Sequence, residues 1–119
     1  MTLNVPGSGG NIISVYTPQS VTWASTITLP FTQSAKLYST ANANATLANP
    51  SAAVPGAEFT WDITQDATGS RLLAFGSLFV FPNGITPVLS TAAGATDTLC
   101  GYVRNDGHIL VTPIYGEAT

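Results

Sequence analysis

A chain of 119 residues fits one domain, and such a domain can bury a core without metal or disulfide staples. Its charges are few, three Lys or Arg against six Asp or Glu for a net of −3. The scattered cations Lys36, Arg71 and Arg104 make no phosphate-tracking stripe, which argues against nucleic acid as a partner.

No apolar run approaches the length of a membrane span, so no membrane partner is expected. Only 8% of residues are charged while 45% are apolar, against roughly a quarter charged in an ordinary soluble domain. Thr, Ser, Asn and Gln supply the remaining polarity. A surface with so little charge offers little repulsion or desolvation cost to protein contacts, which suits packing in an assembly. A stable all-β monomer with a Thr/Ser-rich face has the same composition.

Met1 to Pro18 opens with no positive n-region and no hydrophobic h-segment, so no secretory signal is predicted. Pro6, Gly7, Gly9 and Gly10 break regular structure, and Ile12, Ile13, Val15 and Tyr16 follow. The segment 1–18 reads as an extended N-terminal arm that orders against a neighbour, with those four apolar residues as anchors. A frayed terminus leading into a first strand fits the same residues. The remaining 19–119 reads as a single β domain.

Val21 to Leu29 is Thr-rich and β-branched and reads as a strand, with Val21, Trp23, Ser25, Ile27 and Leu29 on one face. A second strand is predicted over Lys36–Ser39. Thr40 to Pro55 is rich in Ala, Asn and Pro, which oppose one another as helix signals; it reads as a long connection holding a strand fragment at Ala45–Leu47. Phe59 to Gln65 alternates cleanly, with Phe59, Trp61 and Ile63 facing one way. The following QDATGS reads as a reversal through Gly69, with Arg71–Phe75 as the return strand.

Leu78 to Phe81 is a short apolar strand closed by the turn Pro82-Asn83-Gly84. Thr98–Arg104 and His108–Thr112 form a hairpin around Asn105-Asp106-Gly107. Turn signals recur along the chain, no window sustains helical periodicity, and no short tandem repeat is visible. These features predict an all-β fold, a small antiparallel β-sandwich or jelly-roll-like barrel.

A spaced set of residues carries a further signal. It runs from Asn49-Pro50 through Gln65-Asp66-Ala67-Thr68-Gly69-Ser70-Arg71 and Phe81-Pro82-Asn83-Gly84. It continues with Thr86-Pro87, Leu89-Ser90-Thr91, Ala95, Asp97 and Asp106-Gly107. The pattern resembles a β-module of tailed-phage structural proteins, found near the ends of tail-fibre and minor virion proteins. The resemblance implies a non-enzymatic virion structural protein, made in the host cytoplasm and placed on the capsid surface. With no shaft before the module, the expectation is a capsid decoration or cement protein that bridges subunits of the major capsid protein. Such a protein assembles symmetrically, as a dimer or trimer of copies of itself. A tail or head fibre tip that binds a host surface receptor is the alternative.

The physical reading of the motif is structural. Gln65 and Asp66 are suited to bond turn backbone, and Gly69 to supply the turn conformation. Pro82 ends a strand because it cannot donate to the ladder, and Gly84 and Gly107 complete turns. Asp97, expected just before a strand, is suited to accept N–H groups of the preceding turn. Arg71 has both Asp66 and Asp97 as possible partners.

The sequence offers little catalytic chemistry. His108, the single histidine, follows the hairpin turn, and no G-x-S-x-G elbow accompanies it. A small hydrolase would need activity that disappears on His108→Ala. One His, one Cys and scattered carboxylates give no metal-ligand spacing; Asp62 and Asp66 would hold Ca²⁺ only with several backbone carbonyls. No cofactor or small-molecule substrate is expected, since Gly7 to Gly10 lacks the helix and lysine of a phosphate loop. Cys100 reads as a buried inert thiol. Asn44-Ala45-Thr46 matches a glycosylation acceptor, a chance match without a secretory signal. Among the aromatics Trp23, Tyr38, Trp61, Tyr102 and Tyr115, Trp61 is assigned to the core, and Tyr102 and Tyr115 are the candidates for exposed contact.

Overall fold

The computed structural model describes residues 17–117. Ile12, Ile13, Val15 and Tyr16 of the predicted arm lie outside the described residues. The strands are β1 (Gln19–Ser20), β2 (Thr26–Ile27), β3 (Ala35–Ala41), β4 (Ala45–Leu47), β5 (Glu58–Gln65), β6 (Leu73–Phe75), β7 (Phe79–Val80), β8 (Thr96–Val103) and β9 (Ile109–Glu117). A 3-10 turn spans Pro82–Gly84.

The fold is all-β, as expected, but its connectivity differs from the expected one. From β1 to β7 successive strands alternate between two sheets, and β8 and β9 stay in the larger one. One has the order β1-β3-β5-β8-β9-β7 and the other β2-β4-β6. Each of β3 to β6 runs parallel to the strand two elements before it, so the chain winds as three stacked coils with a strand of each coil in each sheet. The expected antiparallel pairing is confined to β5–β8 and β8–β9; β7 joins β9 in parallel. These pairings do not describe a jelly roll, whose Greek keys pair antiparallel.

The coils also revise three local expectations. The predicted strand Val21–Leu29 is a corner followed by the short β2. Its inward parity survives the corner, with Trp23, Ile27 and Leu29 buried, while Ser25 at the bend is exposed. Second, β6 is not the return strand of a hairpin with β5: it crosses to the smaller sheet and pairs Ala45 with Leu73 and Leu47 with Phe75. Third, a structural repeat exists where no sequence repeat is visible.

The period-2 pattern sets which side chains enter the space between the sheets. Leu37, Ala41, Phe59, Trp61, Ile63, Leu99, Val103, Ile109 and Val111 point inward from the larger sheet, meeting Ile27, Ala45, Leu47 and Leu73 from the smaller one. Each fully buried Leu, Ile or Val side chain here contributes roughly 1.5–3 kcal/mol. Trp23 and Trp61 pack with centroids 5.8 Å apart. A run of edge-on aromatic contacts links Phe59, Phe31, Phe79, Phe75 and Phe81.

Both indoles find acceptors, as buried N–H groups must. Trp61 Nε1 donates to Ser39 Oγ at 2.8 Å, and that hydroxyl donates to Val21 O at 2.8 Å, so three successive coils share one polar relay. Trp23 Nε1 donates to Ala43 O at 2.8 Å. The β8–β9 hairpin is present as predicted, with Val103 opposite Ile109 and Gly107 at φ 88°.

Candidate functional site

The motif residues come together as a brace between loops. Gln65 closes β5 with its side chain buried, and there it grips two other segments. Its Oε1 accepts Arg71 N at 3.0 Å, while Nε2 donates to Arg71 O at 2.9 Å and Ser90 O at 3.0 Å. Asp66 caps the following corner, accepting Thr68 N and Gly69 N. Of the two partners open to Arg71, the structure selects Asp66: Nε and Nη2 reach its two carboxylate oxygens at 3.3 and 2.9 Å. That guanidinium, and then the Gly69 N–H, holds the Asp66 carboxyl below its ordinary value, against some desolvation.

Asp97 lies inside β8 rather than before it, and it is 2% exposed. Its carboxylate accepts Ser90 N, Ser90 Oγ and Gly116 N, so it ties the loop before β8 to the end of β9. Gly69 sits where a Cβ would meet Thr91 O at 2.5 Å. Asn49 performs the same service one corner away, accepting Leu78 N at 2.9 Å and donating to Ser77 Oγ at 3.0 Å. Asn44 accepts Leu72 N at 3.0 Å. Pro82 and Gly84 form the 3-10 turn after β7, and Gly107 the hairpin turn. All these residues hold coils and loops in register. The sequence reading missed Ser90 as a brace partner and Asn44 as a corner residue; polar residues bounding short strands were the only signal.

The exposed chemistry lies elsewhere, on the outer face of the larger sheet. Register sets its rows across β3, β5, β8 and β9. One row is Lys36, Thr60, Cys100 and Thr112; the next is Tyr38, Asp62, Thr98 and Ile114; a third is Thr40, Thr64 and Thr96. Glu58 and Tyr102 stand opposite one another below them. Thr64 and Thr96 share a hydroxyl hydrogen bond at 2.8 Å, and Thr98 Oγ1 donates to Asp62 at 2.7 Å.

Tyr102 is 44% exposed and Tyr115 51%, as expected of contact candidates, but Tyr38 is 49% exposed and belongs with them. Cys100 is half-buried on this outer face rather than in the core, because strand parity turns Leu99 inward. His108 turns back on its own hairpin, with Nδ1 3.2 Å from Asp106. Asp62 and Asp66 take separate partners, Thr98 and Arg71. Among the described residues no three His, Cys, Asp or Glu side chains gather at metal-binding range. No protein family model, curated protein or solved structure matches this chain.

Proposed function

We propose that this chain is a virion structural protein that decorates or cements a phage capsid, working by surface burial rather than by chemistry. The observation that carries the reading is where the motif residues lie. Gln65, Asp66, Gly69, Arg71 and Asp97 spend their polar groups on one another and on loop backbone, as expected if the motif's role is to keep a β body rigid. What remains accessible is a Thr-rich sheet face with few charges, a surface that costs little to desolvate against another protein. On a shell, many equivalent copies multiply a modest interface energy by avidity. The arm at 1–18 is the segment proposed to reach a neighbouring capsid subunit.

Immunogold labelling of intact virions with antibody against this chain tests the location. Gold spread over the heads supports decoration. Gold confined to tail or fibre tips removes it in favour of receptor recognition, a reading that the exposed Tyr38, Tyr102 and Tyr115 favour. Deleting residues Thr2–Tyr16 is expected to weaken capsid binding and leave the β domain folded. Undiminished binding would take the arm out of the mechanism.

A further inference from the structure

We infer that the outer face of the larger sheet is a self-complementary surface, on which a second copy of this chain docks face to face. Charge placement carries the argument. Arg71 and Arg104 each have a carboxylate within their own chain, Asp66 and Asp106. Among the described residues Lys36, Glu58 and Asp62 form no salt bridge, and all three are exposed on the same face, on the adjacent strands β3 and β5. Lys36 stands opposite Thr60, and the two carboxylates lie two residues to either side of that threonine. A two-fold axis along the strand direction between β3 and β5 sets β3 of each copy over β5 of the other. Each Lys36 then comes between the second copy's Glu58 and Asp62, while each Tyr38 covers the other Asp62. Both ion pairs form twice, as an isologous interface requires.

The size of the face sets the strength. The two-fold axis lays β3 over β5 and β8 over the short β1, strands of 7, 8, 8 and 2 residues, and leaves β9 outside the overlap. With strands about 4.8 Å apart and a rise of about 3.3 Å per residue, the overlap measures at most roughly 20 by 25 Å. That is smaller than the ~800 Å² per partner of a standard interface, so the dimer belongs to the weak class. Exposed pairs of this kind also weaken as salt rises.

Sedimentation velocity on the full chain, over roughly 1 to 500 µM, tests the proposal. The expected result is a concentration-dependent dimer that loses affinity as ionic strength is raised. Lys36→Glu is expected to weaken association at least tenfold without changing the far-UV circular dichroism. Inverting the whole set, Lys36→Glu with Glu58→Lys and Asp62→Lys, is expected to restore it, because the two-fold then recreates both pairs with opposite sign. A monomer at every concentration overturns the proposal. So does a dimer indifferent to Lys36→Glu, a trimer, or a triple variant no better than the single one.

Discussion

Asp97 is a carboxylate 2% exposed that forms no salt bridge among the described residues and is held by two main-chain N–H groups and one hydroxyl. Asp97→Asn keeps its shape and exchanges one acceptor oxygen for a donor that faces other donors. The expected cost is about 1–3 kcal/mol, the penalty for a buried hydrogen-bonding group left unmet, read as a lower urea midpoint with an unchanged slope. Asp66 gives a pH signature instead. Its carboxyl is held below the ordinary 3.8, first by the Arg71 side chain. A lowered folded-state value stabilises the native chain at pH above the unfolded value, and that contribution disappears as pH falls through the folded one. Asp66→Asn is therefore expected to lower stability at neutral pH and to flatten the acid limb below about pH 4. Equal acid limbs in the two proteins would contradict the pairing. Arg71 had two candidate partners in the sequence; which acid it meets depends on a corner whose path no local pattern encodes.

Turns show the difference between what sequence encodes and what packing adds. Gly69 and Gly107 both take positive φ, 74° and 88°, and both were recognisable as turn glycines. A Cβ at Gly107 meets nothing within 4 Å, whereas at Gly69 it runs into Thr91 O at 2.5 Å and Ala93 N at 2.9 Å. Gly107→Ala is expected to cost about 1 kcal/mol, the backbone penalty alone. Gly69→Ala adds a backbone overlap that no rotamer relieves, and about 3 kcal/mol or more is expected. Urea midpoints of the two variants check the ranking, and equal losses would show that the 91–93 loop moves aside. The same distinction applies to strands. Alternation in Phe59–Gln65 identified β5 and its inward face, and the Asp-Gly turn identified the β8–β9 hairpin. The turn after β5 assigned Arg71–Phe75 to a return strand, and the strand pairs with β4 instead, because a reversal and a crossover to another sheet use the same turn residues.

At the scale of the whole molecule, strand existence was legible and coil stacking was not. Corners of unequal length separate successive strands, so equivalent positions in successive coils share inward parity but no common motif: Leu37 stands opposite Trp61, and Ala45 opposite Leu73. The outer face was equally hidden, since Thr60, Cys100 and Thr112 form one row only through register. This topology divides the folding problem. The β8–β9 hairpin forms through a short turn, whereas each parallel coil must close a long excursion before its contacts form, which makes coil pairing late and slow. Val111 in the hairpin and Leu47 in the middle coil are both buried, 0% and 1% exposed, so truncating either to alanine is destabilising, by roughly 2–5 kcal/mol in the case of Leu47. The losses partition differently between the two rates. Val111→Ala is expected to slow refolding, because hairpin contacts are already made in the transition state. Leu47→Ala is expected mainly to accelerate unfolding, because its partners assemble afterwards. Stopped-flow chevrons in urea separate the two arms. A reversed pattern would mean that the coils nucleate and the hairpin closes over them last.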